Sequence, residues 1–165
     1  MSDLALRCGR LGALGHASEA GEWPAIVAAA RSCMGTPFRP QGRVVGLGLD
    51  CVGVVLIAAA AAGVRLESVP AYGLSGDNLR VLLEMLQRAG CVSVASGHGG
   101  GGQGIGARGA AGDIAVLVPA AGRLHLGVLT PGGLVHAHAG LGQVVEGPVD
   151  PCWSWLGVWR LKGAR

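Results

Sequence analysis

Cys51 and two downstream histidines are the residues whose types and spacing indicate nucleophilic chemistry. Cys51 follows Asp50 after a loop rich in Gly and Pro, and it opens a long apolar run. A thiol at a helix N-terminus ionises more easily, and the thiolate is its nucleophilic form. His125 and His136 lie on later segments that we predict as strands. One Cys with separated His residues predicts a nucleophile and a general base, as in a cysteine peptidase or amidase.

The residues around Cys51 strengthen this prediction. Gly53 follows two positions on, and a small residue there lets another chain segment or a substrate approach the helix start closely. Backbone N–H groups at a helix start are also ready donors to an oxyanion. The alternative is a small apolar core Cys on a buried helix, which is the commonest environment of a free Cys.

The two histidines are predicted to lie on neighbouring strands. If Leu126 and Val128 face the core, His125 lies on the opposite face of its strand, above Gly127. Only three residues, 131–133, separate this strand from the next, which predicts a hairpin. His125 and His136 would then be near-opposite neighbours, about 5 Å apart at Cβ. One ring can orient the other, as in a catalytic triad. Taken alone, His125 would be better interpreted as a surface residue.

Two further patterns suggest ligand sites. His136 and His138 share a strand face, and such a pair can bind a metal, but a third ligand is not obvious. Residues 104–109 match G-x-G-x-x-G, but they lie in a glycine-rich loop before a strand, whereas the dinucleotide motif needs a strand before it and a helix after it. We therefore predict no metal and no cofactor.

Composition limits the other possibilities. With 165 residues and 50% hydrophobic content, the chain suits one domain, which we place at 23–165 after an irregular segment at 1–22. A net charge of +3 without a Lys/Arg cluster gives nucleic-acid binding little support. The apolar run Cys51–Val64 is shorter than the roughly 20 residues that span a bilayer, so no membrane span is expected.

Cysteine usage and the N-terminus bear on location. The five Cys residues are scattered without a C-x-x-C pair, which favours reduced thiols over a zinc site or a disulfide framework. Met1–Leu14 carries charged residues and no sustained apolar core, so we expect synthesis in the cytoplasm without a signal peptide.

The order of elements predicts an α+β fold, with N-terminal helices packed on a C-terminal antiparallel sheet. We predict helices at Trp23–Met34, from Cys51 to about Gly63, and from a cap at Asp77 to Gly90. Loops are expected at Gly42–Leu49 and Gly97–Gly112, and a turn at Val69–Gly73. The predicted strands are Cys91–Ala95, Ile114–Val118, His125–Thr130, Leu134–His138, Val144–Val149 and Val158–Leu161.

Five short motifs in order resemble the NlpC-type cell-wall cysteine peptidase family over roughly residues 23–161. They are the G-x-P-F loop at Gly35–Phe38, the D-C-x-G helix start at Asp50–Gly53, the G-D pair at Gly112–Asp113, the H-x-G strand at His125–Gly127, and the H-A pair at His136–Ala137. The tail, from Gly142–Glu146 through Trp153 to Trp159–Arg160, is similar to the phage-encoded branch of that family.

The resemblance implies a papain-like fold and hydrolysis of amide bonds in peptidoglycan stem peptides, often next to D-glutamate and a diamino acid. It matches Cys51 to the nucleophile, His125 to the general base and His136 to the orienting residue. Peptidoglycan is the implied substrate and phage tail proteins are implied partners, so a phage or tail-like particle could deliver the protein to the cell wall.

The sequence departs from the family pattern at two positions. Many members have Tyr where this chain has Phe38, and Ser where it has Val52. Without a Tyr hydroxyl, oxyanion stabilisation would rest on backbone donors, where losing one can cost about 2.7–4 kcal/mol. The alternatives are an amidase or transferase acting on a non-wall substrate, a non-catalytic tail-assembly subunit of the same fold, and an H-x-H metal protein.

Overall fold

A computed structural model describes residues 23–65, 78–99, 109–120 and 122–162. This part of the chain is a mixed α+β structure with three helices, a six-stranded antiparallel sheet and a small two-stranded hairpin. The predicted α+β class and antiparallel sheet are therefore confirmed. The predictions for residues 1–22, the turn at Val69–Gly73 and the cap at Asp77 lie outside the described residues.

The helices form where apolar runs follow loop residues. They are α1 (Trp23–Ser32), α2 (Cys51–Ala61) and α3 (Leu79–Arg88). Asp50 is the N-cap of α2, and its side chain accepts a hydrogen bond from Gly53 N. A carboxylate at this position gives a hydrogen-bond partner to a backbone N–H that the helix itself leaves unpaired, and its negative charge interacts favourably with the helix dipole. Residues on almost every side of α2 are buried, because its sequence is apolar throughout.

The main sheet follows the predicted run of short strands. In chain order the strands are β1 (Arg43–Val44), β2 (Gly48–Leu49), β3 (Val92–Gly99), β4 (Ile114–Ala120), β5 (Arg123–Thr130), β6 (Gly133–His138), β7 (Gln143–Gly147) and β8 (Ser154–Arg160). The six-stranded sheet has the order β3-β8-β4-β5-β6-β7, and β1 pairs with β2 in a separate two-stranded sheet. The predicted hairpin between β5 and β6 is confirmed, with Thr130 opposite Gly133.

Both faces of the sheet are covered by apolar side chains. Leu124, Leu126 and Val128 of β5 belong to the larger core cluster, together with buried residues of α1 and α2. Leu129 of β5 belongs to a second cluster on the other face, with Leu134 of β6 and further residues of β4 and β8. The face that carries His125 is therefore partly a second core and not a plain solvent face.

Two predicted loops contain pairing that the sequence did not indicate. The segment 42–49 folds as the β1–β2 hairpin, with Val44 opposite Gly48. The segment 97–99, predicted as the start of a glycine-rich loop, continues β3, with Gly99 opposite Trp155 of β8. Glycine content predicted both segments as loops, but pairing with a neighbouring strand overrides that local preference.

Two carboxylates connect distant elements. Asp113, which is fully buried, accepts two hydrogen bonds of 2.9 Å from Arg160 of β8 and one from Ala110 N. Glu146 of β7 receives two hydrogen bonds from Arg31 of α1 and one from the Thr130 hydroxyl. The hydrogen bond from Arg31 is the largest cause that holds the pKa of Glu146 below its ordinary value.

In the described residues no helix is long and apolar enough to cross a membrane.

Candidate active site

Cys51, His125 and His136 line one cleft. The cleft has a volume of about 200 Å³ and is bordered by Phe38, Leu124, Ala137 and Trp153, among others. Three elements supply the polar side chains, because the start of α2 meets β5 and β6 at this end of the sheet. The sequence predicted these three residues as a site, and the structure brings them to the same cavity.

The start of α2 is held by Asp50. This buried carboxylate accepts hydrogen bonds of 2.8 Å from Gly53 N, from Gln41 N and from the Arg43 guanidinium. A Cβ at Gly53 would lie 2.4 Å from the carbonyl oxygen of Gly42, so only glycine allows this close approach. The small residue expected near Cys51 thus serves packing of the preceding loop, and Gly53 does not line the cleft.

The residue that carries the thiol lines the cleft but is almost completely buried. Cys51 is 1% exposed. Burial, the largest cause, raises the pKa of the Cys51 thiol to about 12, and the charge of Asp50 adds to the increase. Hydrogen bonds from the backbone of Leu126, Val52 and Cys51 itself act in the opposite direction but do not outweigh burial. The expectation of an easily ionised thiol is therefore wrong for the resting protein, because desolvation outweighs the favourable helix start.

The N–H groups of Cys51 and Val52 still matter for chemistry. They belong to the first helical residues, whose N–H groups have no carbonyl partner within the helix. Both approach the sulfur, as does the backbone N–H of Leu126 from β5. A negative charge that develops beside the sulfur would therefore meet several backbone donors. Phe38 lines the cleft but supplies no hydroxyl, and Val52 is buried in the core.

The two imidazole rings are joined directly. Nε2 of His125 and Nδ1 of His136 are 2.7 Å apart, and the rings meet edge to face with centroids 4.9 Å apart. When His125 donates this bond from Nε2, its Nδ1 carries the free lone pair. This tautomer leaves His125 ready to accept a proton and uses His136 to hold it in place.

The strand register makes this contact diagonal. Pairing between β5 and β6 ends at Val128 opposite Val135. His136 lies one residue beyond Val135 on β6, whereas His125 lies three residues before Val128 on β5, so the two histidines are not directly opposite. The expectation of near-opposite histidines is corrected to a diagonal pair, which long side chains can still bridge. The space at Gly127 is not open, because a Cβ there would lie 2.6 Å from the Leu134 side chain.

Both rings are neutral near pH 7. Burial, followed by the nearby His136 and His138, lowers the pKa of His125 to about 3. Burial and then His138 lower the pKa of His136 to about 4. Within the described residues, no hydrogen bond joins the Cys51 sulfur to the ring of His125. The resting site is thus a neutral thiol and a neutral imidazole pair.

Sequence reasoning did not assign Trp153 or Arg123 to the site. Trp153 packs edge to face against both rings, with centroids 5.3 Å from His125 and 5.4 Å from His136. Arg123 lines the cleft at the start of β5. Trp153 had a weak signal, since it stands in a connection rich in Pro and Asp where a large aromatic residue needs a partner. Nothing in the spacing of Arg123 indicated a role.

His138 is a neighbour and not a third member of the hydrogen-bonded pair. Its ring is 5.5 Å from that of His136, and its Nδ1 accepts a hydrogen bond from Leu141 N. In the described residues no group of three or more His, Cys, Asp or Glu side chains is arranged to hold a metal ion.

Comparison with known proteins found no family model and no curated protein that matches this sequence.

Proposed function

We propose that this protein is a cysteine-type amide hydrolase of papain-like fold, with its helices packed on the sheet, acting on peptidoglycan stem peptides. The observation that carries the proposal is the imidazole pair of His125 and His136 in the same cleft as Cys51 at a helix start. Shared core packing between α2 and β5 supports the papain-like arrangement. The wall substrate and the phage tail context rest on the family resemblance.

The proposed reaction starts from the neutral pair. Nδ1 of His125 takes the thiol proton as the Cys51 sulfur attacks the amide carbonyl carbon. Backbone N–H groups of Cys51 and Val52 stabilise the oxyanion, and His136 keeps His125 in the required tautomer. The amine leaves with the proton from His125. Water, activated by the same ring, then hydrolyses the thioester and restores the thiol.

The test compares three proteins on purified peptidoglycan: wild type, Cys51→Ala and Cys33→Ala. Cys33 is fully buried outside the cleft, so its variant controls for loss of a buried thiol. Soluble fragments are identified by mass spectrometry. We expect stem-peptide fragments from wild type and Cys33→Ala and none from Cys51→Ala. Undiminished release by Cys51→Ala would refute the assignment, and acylated products without free carboxylate would indicate a transferase.

A non-catalytic subunit of the same fold is the second candidate. The observation in its favour is the resting thiol, which is 1% exposed and has a pKa raised to about 12 by burial. This candidate predicts that folded wild-type protein releases no fragments from peptidoglycan or from model amides. Co-sedimentation with particles of a tail-bearing phage, unchanged in Cys51→Ala, would support it.

A further inference from the structure

The tip of the β1–β2 hairpin exposes aliphatic side chains to solvent. Val44, Val45 and Leu47 are 53%, 44% and 71% exposed. Turn positions usually carry Gly, Pro, Asn, Asp or Ser, which suit both the turn conformation and contact with water. Gly46 supplies the positive φ of 79° that this turn needs, but its neighbours are apolar. Turn formation therefore does not explain why the tip is aliphatic.

Met34 extends this apolar surface. Gly46 N donates a hydrogen bond of 3.0 Å to the hydroxyl of Thr36, which holds the hairpin tip against the loop after α1. Met34 is exposed two residues before Thr36. Residues 34–47 thus contain four of the seven large hydrophobic side chains that are exposed in the described part of the chain, and none of the four lines the cleft. We call this surface the apolar tip: Met34, Val44, Val45 and Leu47.

The surroundings of the apolar tip are positively charged. Residues 23–49 contain three arginines and no Asp or Glu. Two of these arginines are bound to carboxylates of other segments, but Arg39 is exposed and forms no ion pair in the described part of the chain. A Cβ at Gly48 would lie 2.7 Å from Cδ of Arg39, so the arginine side chain lies over the residue that follows Leu47. A cation that no described carboxylate neutralises therefore borders the aliphatic side chains.

Aliphatic side chains beside such a cation fit a bilayer surface with anionic headgroups. The side chains enter the boundary between headgroups and acyl chains, and a neighbouring arginine is attracted by the negative surface potential. A two-fold contact between two copies through this tip would bring their Arg39 side chains together with no anion between them, which disfavours a second copy. A protein groove draws most of its binding energy from Trp, Tyr and Arg in buried pockets, and the tip has no aromatic residue.

We propose that the apolar tip is a membrane-contacting surface, which inserts Val45 and Leu47 at the headgroup boundary of a bilayer containing anionic lipids, while Arg39 contacts the headgroups. The tip is small, so this binding is peripheral and reversible. It goes beyond the proposed hydrolysis, since it uses none of the residues of the cleft.

The experiment measures co-sedimentation of the full-length protein with lipid vesicles. One probe is vesicles of equal parts phosphatidylglycerol and phosphatidylcholine, and the other is vesicles of phosphatidylcholine alone. The variants are Val45→Ser and Leu47→Ser within the tip and Arg39→Gln beside it. Sedimentation velocity of the protein without lipid reports its oligomeric state, and near-UV circular dichroism checks that each variant keeps the fold.

The controls repeat the same changes elsewhere in the fold. Val94→Ser matches Val45→Ser, because Val94 is exposed to a similar degree on β3. Strand β3 lies five strand spacings from β7, about 24 Å, and the segment that holds the tip pairs with β7. Arg88→Gln matches Arg39→Gln, because Arg88 is an exposed arginine of α3.

We expect the wild type to sediment with the anionic vesicles. Val45→Ser should weaken this binding about fivefold and Leu47→Ser about tenfold, because each removes apolar surface from the bilayer. Arg39→Gln should weaken binding to the anionic vesicles about fivefold and should have little effect with phosphatidylcholine alone. Added salt should weaken the anionic binding, and the two control variants should bind like the wild type.

Other results would overturn the inference. They are a wild type that does not sediment with anionic vesicles, and binding that Val45→Ser weakens no more than Val94→Ser does. A dimer in the absence of lipid that Leu47→Ser dissociates would assign the tip to a second copy and would also overturn it. Release of peptidoglycan fragments is measured without lipid, so failure of the proposed hydrolase and failure of this surface are observed independently.

Discussion

Alkylation of Cys51 should be slow, although we assign it as the nucleophile. Raising its pKa from 9.0 to about 12 reduces the thiolate fraction near neutral pH about a thousandfold. A more basic thiolate is also more nucleophilic, which restores roughly 30-fold of this loss. The net rate with iodoacetamide should therefore be about 30-fold lower than for an ordinary exposed thiol. Because Cys51 is only 1% exposed, iodoacetamide also has poor access to the sulfur, so the actual decrease in rate should be at least this large.

The assay follows each cysteine by peptide mapping and mass spectrometry during exposure to iodoacetamide at pH 7.5. Cys152 is exposed and serves as the internal reference, while Cys33 and Cys91 are buried controls. In urea all of these thiols should react at similar rates. In the folded protein the rate at Cys51 should keep rising about tenfold per pH unit between pH 9 and 11, because its pKa lies above that range.

The opposite outcome would refute the reasoning. A preformed thiolate–imidazolium pair would make Cys51 the fastest thiol in the protein at pH 6 to 7.5. If Cys51 is modified faster than Cys152 under these conditions, burial does not control its ionisation. The neutral resting pair would then be wrong, although the nucleophile assignment would gain support.

Three further predictions concern the histidine pair and the core. His136→Leu should lower kcat on peptidoglycan about 100-fold with little change in KM, because the ring of His125 loses its hydrogen-bond partner. His136→Asn keeps an acceptor near the position of Nδ1 and should recover most of the lost kcat. Equal kcat values for the two variants would contradict the orienting role of His136. Because the folded pKa values of His125 and His136 lie below 6.5, the stability they contribute is complete above pH 6.5 and is lost as pH falls toward 3. The free energy of unfolding in urea should be about 2–5 kcal/mol lower at pH 4.5 than at pH 7 in the wild type, and the decrease should be smaller in His136→Asn. An equal decrease in the wild type and the variant would exclude the histidine pair as its source. Asp113→Asn should cost about 3 kcal/mol in urea unfolding, because it removes the charge of a fully buried carboxylate that is paired with the half-buried Arg160. The exposed Asp150→Asn should cost under about 1 kcal/mol, and similar losses in the two variants would contradict this prediction.

Local patterns in the sequence predicted much of the fold. Alternation of Leu124, Leu126 and Val128 placed His125 on the opposite face of its strand, and the structure agrees. Asp50 before an apolar run predicted the start of α2 at Cys51. Both signals act within a few residues, where hydrophobic period and capping chemistry decide the conformation.

Other features depend on contacts between distant segments. The exact register of β5 and β6, which makes the histidine pair diagonal, follows from Gly133 pairing as a strand residue and not as part of the turn. The raised pKa of Cys51 follows from its burial in the larger core cluster, about which the sequence near Cys51 carries no information. The contact of Trp153 with both rings is likewise a tertiary outcome.

The segment that carries Phe38 also covers the edge strand β7 of the sheet. Gly35 N donates to Val144 O, Val144 N donates to Thr36 O, and Phe38 N donates to Gly142 O, so residues 35–38 lie along β7 as a short additional strand. An uncovered edge strand offers unpaired backbone groups to other chains and invites aggregation. Engineering of this loop to add a hydroxyl donor at Phe38 must therefore preserve its backbone pairing, or the gain in chemistry would be offset by a loss of solubility.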